Sequence, residues 1–492
     1  KESRLLTKII DAIPILQTKE ESSFNLTGEF AQLLPGTSNI IDGEGTAYVD
    51  YFENTATPYS LMTPQGWKLS ATPQGDPRFN PSGAGVNDLT LGYKRAKLAW
   101  YQIDNQFYRE TGQFKPENIT ESDLQNHYVR AVKPEEIFPF FQRPQGYFFQ
   151  PVFDIAYYPR ERGPYNYNPG IDNNGFLVGD PKTNWAGVTT AIRTEVDFDK
   201  ANIEYVEFWM LDPFIESENG RIIDGRFNDH NTTGGKIVFQ LGNISEDVAR
   251  DAKHAFENGL PPDPTAPVGA TENEWGLVTT EAYLNNAFAN EAAARESQDV
   301  GLDGLPDLAE ADHFQSFLNQ LNPEARQVVL NDPSADNFSY FFGNDLDARN
   351  AKILERYKDY NGMDGNSPIN TGDQDLARAA TQTPDNEDLN ADNTLSELEE
   401  YYEYDIDLAP GLEVGQQYIV DKIVASPDNV PGEQVSWYLF RIPVREFENR
   451  FGNISGFKSI KYIRMLLTGF DQPVVLRMAN FRMIGSRWRR YQ

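Results

Sequence analysis

Residues 388–399 read DLNADNTLSELE, and the residue types there suit a hard cation. Oxygen-bearing side chains stand at relative positions 1, 3, 5 and 9 (Asp388, Asn390, Asp392 and Ser396). Thr394 at position 7 offers its backbone carbonyl, and Glu399 at position 12 can bind through both carboxylate oxygens. This is the spacing of a calcium loop. Asn393 replaces the glycine usual at position 6, and asparagine tolerates the left-handed backbone required there. Pro384 argues against an entering helix, so the pattern predicts an isolated calcium loop; the competing reading is an acidic helix start over 395–404, capped by Asp392 or Thr394. A weaker pattern, DVGLDGLPD at 299–307, sets Asp299, Asp303 and Asp307 among glycines with Glu310 nearby, which permits a tight wrap around the same kind of ion. The run DYNGMDG at 359–365 reads as a plain turn.

Other chemistry is poorly supported. His127, His230, His254 and His313 are scattered, and no HExxH, GxSxG or phosphate-cradling glycine loop occurs. With 74 acidic residues, pairs of carboxylates are everywhere, so the two-carboxylate signature of a glycosidase carries no weight. The expectation is a protein that is not an enzyme and requires no cofactor, calcium apart. Tyr157, Tyr158, Tyr165, Tyr167 and Trp185 flank a turn-rich loop and can stack on a sugar, but packed aromatics are the favoured reading.

A net charge of -31 argues against nucleic acid, whose backbone calls for clustered Lys and Arg. The absence of cysteine removes disulfides, thiolate metal sites and cysteine nucleophiles. No apolar run approaches the ~20 residues of a membrane helix. The chain opens on Lys1-Glu2-Ser3-Arg4, which reads as a mature protein or an internal fragment and not as a signal peptide.

The elements that must position these groups are mainly strands. Residues 203–211 (IEYVEFWML) form an apolar run suited to a strand covered on both faces, and 236–241 alternate Lys236, Val238 and Gln240 with Ile237, Phe239 and Leu241, as a half-buried strand does. The two are expected to pair. Strands are also expected in AYVDYFEN from Ala47, and at 66–73, 89–104, 148–158, 436–444, 458–470 and 472–484, with Ala479, Phe481 and Met483 alternating against Asn480 and Arg482. Helical patterns occupy 1–16, 247–258, 280–297, 308–321 and 345–359. The predicted organisation is therefore a lead-in helix and strand at 1–45, a strand-rich part of a sandwich at 46–248, a helical insertion at 249–380, an acidic calcium-loop segment at 381–410, and a strand-rich basic part at 411–492 completing that sandwich or a second one. The fold class is β-rich with helical insertions: an antiparallel, jelly-roll-like β-sandwich. Residues 381–410 hold ten acidic residues and no Lys or Arg, whereas 441–492 hold eleven Lys or Arg against three acids. The basic tail can pair with the acidic segment or a partner's acidic surface, solvated strand faces being the blander reading.

Several longer blocks are chemically unusual: SRLLTKIIDAIPILQTKEESSFNLTGEFAQLLPG, AYVDYFEN, RAKLAWYQID, YYPRERGPYN, NIEYVEFWMLDPF, LGNISEDV, TPDNEDLNADNTLSELEEYYEY and SRWRRY. Together they resemble the SprA (Sov) family of Bacteroidetes, over nearly the whole chain. The resemblance implies an internal segment of the outer-membrane translocon of the type IX secretion system. That protein is a very large single-chain β-barrel that passes folded cargo to the cell surface and supports gliding motility. Its implied partners are a PorV-like shuttle protein, a plug protein and secreted cargo proteins, with the membrane contacted by the rest of the chain. No catalytic residue transfers. Large excursions from a barrel belong more naturally on the extracellular side, so a soluble cap or lumen-associated domain is expected there, a periplasmic place being the alternative. The rival readings are a secreted carbohydrate-binding or adhesive module and a glycosidase.

Overall fold

The computed structural model describes residues 56–109, 115–141, 149–263, 269–281, 285, 287–289, 294–360 and 383–486. All belong to the second of two units into which the chain divides, 1–54 and 55–492. The expected lead-in helix and the AYVDYFEN strand lie outside the described residues. In chain order the strands are β1 (Ala56–Ser60), β2 (Trp67–Leu69), β3 (Ala96–Tyr101), β4 (Phe153–Arg162), β5 (Trp185–Ala191), β6 (Ile203–Leu211), β7 (Ile222–Ile223), β8 (Asn228–Asp229) and β9 (Gly235–Asn243). There follow β10 (Ala270–Asn273), β11 (Gly276–Thr279), β12 (Glu400–Leu408), β13 (Ile419–Ala425), β14 (Val435–Pro443), β15 (Asn449–Phe451), β16 (Tyr462–Thr468) and β17 (Val474–Ser486).

Two antiparallel sheets carry the fold. One runs β13-β14-β6-β17-β4-β3, with β1 added to β17, and the other β15-β12-β9-β16-β5-β2. One hydrophobic core joins their inner faces, drawing Phe153, Ile155, Phe208 and Met210 from the first and Val188, Ile237, Phe239 and Met465 from the second. This is a β-sandwich. Its centre is a cluster of aromatic rings: Phe208 lies 5.8 Å from Phe239, 5.1 Å from Phe440 and 5.5 Å from Phe481, and Trp67 stacks on Phe481 at 5.7 Å. Burying one such ring contributes about 1.5–3 kcal/mol, and each well-disposed ring pair about 0.5–1.5 kcal/mol more.

The expected pairing of 203–211 with 236–241 is corrected. β6 pairs with β14 and β17, whereas β9 pairs with β12 and β16, so the two strands face each other across the core instead of lying side by side. Alternating side chains signal a buried face without saying whether the neighbour lies beside the strand or above it. The second face of β9 is also covered. Val238 packs with Phe79, Trp185 and Leu466, and Gln240 is fully buried between Glu403 and Arg464.

The expected alternation in β17 breaks at Asn480, and a second register shift follows between Ile484 and Gly485. The register shifts between Ala479 and Arg482, with Asn480 at φ 52°, so Ala479 packs beside Trp209 and Trp437 while Phe481 and Met483 enter the main core. Such a bulge bends the strand. The first half of β17 pairs with β4 and the second half with β1.

Between β9 and β12 the helices are short: Arg295–Gln298, Asp307–His313, Gln315–Leu318, Pro323–Val329, Asn344–Ala348 and Ile353–Tyr357. The helix expected over 247–258 does not form. Asp247 accepts hydrogen bonds from the backbone N–H groups of Asp251 (3.1 Å) and Ala252 (3.1 Å), and Ala252 has a left-handed φ of 59°. Carboxylates thus take backbone donors that a helix would use internally. The competing helix start over 395–404 does not form either: 395–399 are irregular and 400–404 belong to β12.

Candidate metal centre

Three stretches of the insertion converge beside the sheets: the loop 299–306, the helix Asp307–His313 and the loop 331–339. Gly304 permits the first turn at φ 66°, where a side chain would run into the carbonyl of Leu277. Gly301, at φ 75°, faces the Asp336 carboxylate so closely that a Cβ would collide with it. Tyr165 and Tyr167, both buried, pin the loops from the sandwich side. Leu302 N–H donates to the Tyr165 hydroxyl (2.9 Å), Tyr165 N–H donates to the Ser334 carbonyl (2.7 Å), and the Tyr167 and Ser334 hydroxyls bond at 3.0 Å.

The result is a cluster of carboxylates. Glu310, Asp332 and Asp336 each offer an oxygen, all within 4.8 Å of one another. Asp303 stands beside them, accepting from the Ser334 hydroxyl and from Leu305 N–H (2.9 Å), while Glu310 accepts from Ser334 N–H at 2.8 Å. Burial pushes the Glu310 carboxyl up to about 7, with the charges of Asp332 and Asp307 adding to the effect. Burial also holds Asp303 and Asp336 well above the usual carboxylate range, helped in Asp303 by Glu310 and in Asp336 by Asp303, Glu310 and Asp332. Asp332 is raised by burial too, against the pull of Arg162 and Lys97. Anionic oxygens crowded in a poorly hydrated place favour either protons or a cation. The donor set is all oxygen, which fits calcium and not a softer transition metal. Glu310, Asp332 and Asp336 are the residues that would hold it.

The sequence-predicted candidates are distributed unevenly. Of Asp299, Asp303 and Asp307, only Asp303 adjoins the cluster directly; Asp299 pairs with Arg295, and Asp307 accepts from Asn337 at 3.0 Å. Asp332 and Asp336 were missed. Their signal, the turn formers of NDPSAD at 331–336, marks a loop but says nothing of which loop it meets. In the 388–399 stretch, Asp388, Asn390, Asp392 and Thr394 share one tight turn. Asp388 accepts from the N–H groups of Asp392 (3.1 Å) and Asn393 (2.8 Å), Asn390 from Asp392 N–H (2.9 Å), and Asp392 from Thr394 N–H (2.9 Å). Asn393 takes the left-handed φ of 60°. Ser396 is joined to the turn through the Tyr462 hydroxyl, which donates to the Ser396 hydroxyl at 3.3 Å and accepts from the Asn390 amide at 2.9 Å, whereas both Glu399 oxygens lie 2.9 Å from the Arg464 guanidinium.

Further buried carboxylates act as staples. Glu257 accepts from the N–H groups of Val300 (2.7 Å), Gly301 and Asp385 (2.5 Å); Glu387 from Val248 (2.8 Å), Ala249 (3.0 Å) and Ala255 (3.0 Å); Glu246 from Leu389 (2.8 Å) and Ser396 (2.9 Å). Stretches far apart in sequence are thereby tied without a sheet or helix between them.

Residues 313–492 match the SprA_N family, described as a motility related/secretion protein. The chain contains an SprA-family segment. No curated protein matches the chain. The SprA-family segment supplies β12 to β17, of which β13 and β15 are edge strands while two are central: β17 lies between β6 and β4, and β16 between β9 and β5. Neither sheet is continuous without it. It also contains Asp332 and Asp336, while Asp303 and Glu310 precede it. The five aromatics considered for sugar stacking, Tyr157, Tyr158, Tyr165, Tyr167 and Trp185, are all buried and serve packing. The basic tail meets the acidic segment through Arg464 and Glu399; of its other cations, Arg441 and Arg482 pair with Glu207, Arg477 with Asp154 and Arg445 with Asp199. No helix among the described residues is long and apolar enough to cross a membrane.

Proposed function

We propose that this chain is a non-enzymatic part of the type IX secretion translocon, which passes folded cargo across the outer membrane and supports gliding motility. The observation carrying this reading is that the SprA-family strands are interleaved with those of residues 56–243 in both sheets, so the secretion-related segment and the rest of the sandwich form one folding unit. Its role is that of a cap or lumen-associated domain on the extracellular side of the barrel, in contact with cargo, a PorV-like shuttle protein and a plug protein. Calcium at Glu310, Asp332 and Asp336 would pin the insertion against the sandwich, a mechanical task that suits a hard cation with flexible coordination.

The test is an in-frame chromosomal deletion of residues 313–492 in the source organism, with a blot confirming that the shortened polypeptide still reaches the outer membrane. Cargo proteins retained in the cell, together with loss of colony spreading, are the expected result. Normal secretion and spreading would overturn the proposal. Protease treatment of intact cells assigns the side: cleavage within the segment is expected, and protection until the outer membrane is opened would move it to the periplasm.

A further inference from the structure

The chain has no cysteine, so no disulfide ties its helical insertion to the sandwich. One contact between the two offers other chemistry. Asp224 heads the turn between β7 and β8, Glu161 stands near the end of β4, and Lys358 directly follows the helix Ile353–Tyr357. Lys358 Nζ lies 2.8 Å from Glu161 Oε1, 3.2 Å from Asp224 Oδ1 and 4.3 Å over the Tyr158 ring. The side chains of Lys358, Glu161 and Asp224 are 9%, 11% and 0% exposed. Two carboxylates thus flank one ammonium at the border of the apolar cluster that holds Tyr158, Ile222 and Tyr357.

The two carboxylates are held differently. Asp224 Oδ1 accepts from the backbone N–H groups of Arg226 (2.8 Å) and Phe227 (2.9 Å), whereas its Oδ2 is buried and accepts no hydrogen bond from the described residues. Two backbone donors on one oxygen polarise the carboxyl carbon and suit the oxyanion that forms when a nucleophile adds there. The unbonded oxygen is the one that can leave. Glu161 faces cations, Lys358 at 2.8 Å and Arg226 at 3.9 Å, and is placed to carry protons from the Lys358 nitrogen. The plainer reading of the triad is a buried ion pair with a second carboxylate. Buried charges are costly, however, and joining the Lys358 nitrogen to the Asp224 carbon replaces two of them by a neutral amide. The fold holds the two reactants together, which removes the entropic cost of their encounter.

We propose that Lys358 and Asp224 form an intramolecular isopeptide bond, with Glu161 as the proton carrier. Glu161 takes a proton from the Lys358 ammonium and passes it to Asp224 Oδ2, and the freed amine adds to Asp224 Cγ. A second proton follows from nitrogen to Oδ2 by the same route. The Cγ–Oδ2 bond then breaks, one water leaves through the groove of about 590 Å³ that borders all three residues, and Glu161 ends as the carboxylate it began. The product ties the insertion to the sandwich covalently, and it does not depend on the transport reading. Intact-mass spectrometry on the folded 492-residue chain tests it. A mass about 18 Da below the sequence value is expected, and trypsin should release a branched peptide joining residues 222–226 to the fragment that contains Lys358. Lys358→Arg cannot form the amide and Glu161→Gln cannot carry the protons, so both should show their full mass with unchanged circular dichroism. A native chain of full mass would overturn the proposal, as would a water loss that survives Lys358→Arg; a loss that survives Glu161→Gln would overturn the role given to Glu161. If either variant fails to fold, the presence or absence of the branched peptide in the native digest decides.

Discussion

Replacing Glu310 by glutamine separates the proton and cation roles of the carboxylate cluster. Burial and the neighbouring Asp332 and Asp307 lift the Glu310 carboxyl from 4.5 to about 7. A folded-state value above the unfolded one means that the native protein holds the proton more tightly. The associated stability is fully present below pH 4.5 and is lost as the pH rises through about 7. Across that window the loss is about 3 kcal/mol, drawn from a proton pool that Glu310 shares with Asp303, Asp332 and Asp336. Glu310→Gln keeps an acceptor for Ser334 N–H and never ionises, so it avoids this loss. Urea unfolding in a chelator, run on both proteins at pH 4.5 and 7.5, should show the variant gaining about 3 kcal/mol on the native chain between the two conditions. Added calcium should reverse the order at pH 7.5, stabilising the native chain and leaving the variant nearly unchanged. Parallel pH profiles in chelator would refute the titration argument, and a native chain indifferent to calcium at pH 7.5 would refute the metal assignment.

Two further substitutions probe the sandwich. Arg464→Met leaves the buried Gln240 and the largely covered Glu399 without their cation and should cost about 3 kcal/mol in urea unfolding, most of it recovered when Glu399→Leu is added. Phe239→Ala removes a ring that touches Phe208 and Phe481 and should cost about 3–5 kcal/mol by the same measurement, with the sheets still formed by circular dichroism.

Some strands were legible in the sequence, whereas β5, β12 and β13 were not. β6 was marked by its unbroken apolar run, and β14, β16 and β17 by alternation between turn formers. Their assignment to sheets was not legible, because the period of β9 is the same whether β6 lies beside it or across the core. Residues 247–258 carried a helical pattern, but Asp247, Glu257 and Glu387 compete for backbone donors in ways that no pattern of apolar residues records. The carboxylate cluster was half visible. Asp303 and Glu310 stood out by spacing, whereas Asp332 and Asp336 join them only because Tyr165 and Tyr167, far upstream, bind both loops. The calcium spacing at 388–399 shows the limit of a motif: Asp388, Asn390, Asp392 and Thr394 form the turn, and Glu399 answers instead to Arg464, whose position depends on β16.

The central place of the last strands has a consequence for biogenesis. Until β16 and β17 emerge, β9 and β5 lack the strand between them, and β6 and β4 likewise. The N-terminal half must therefore wait, with its hydrogen-bonding edges open, for a segment made more than 200 residues later. Such non-local closure is slow, and open edges invite misassembly. The open edges thus call for a holding chaperone until those strands are made, and truncation before β16 should be as damaging as loss of the core itself.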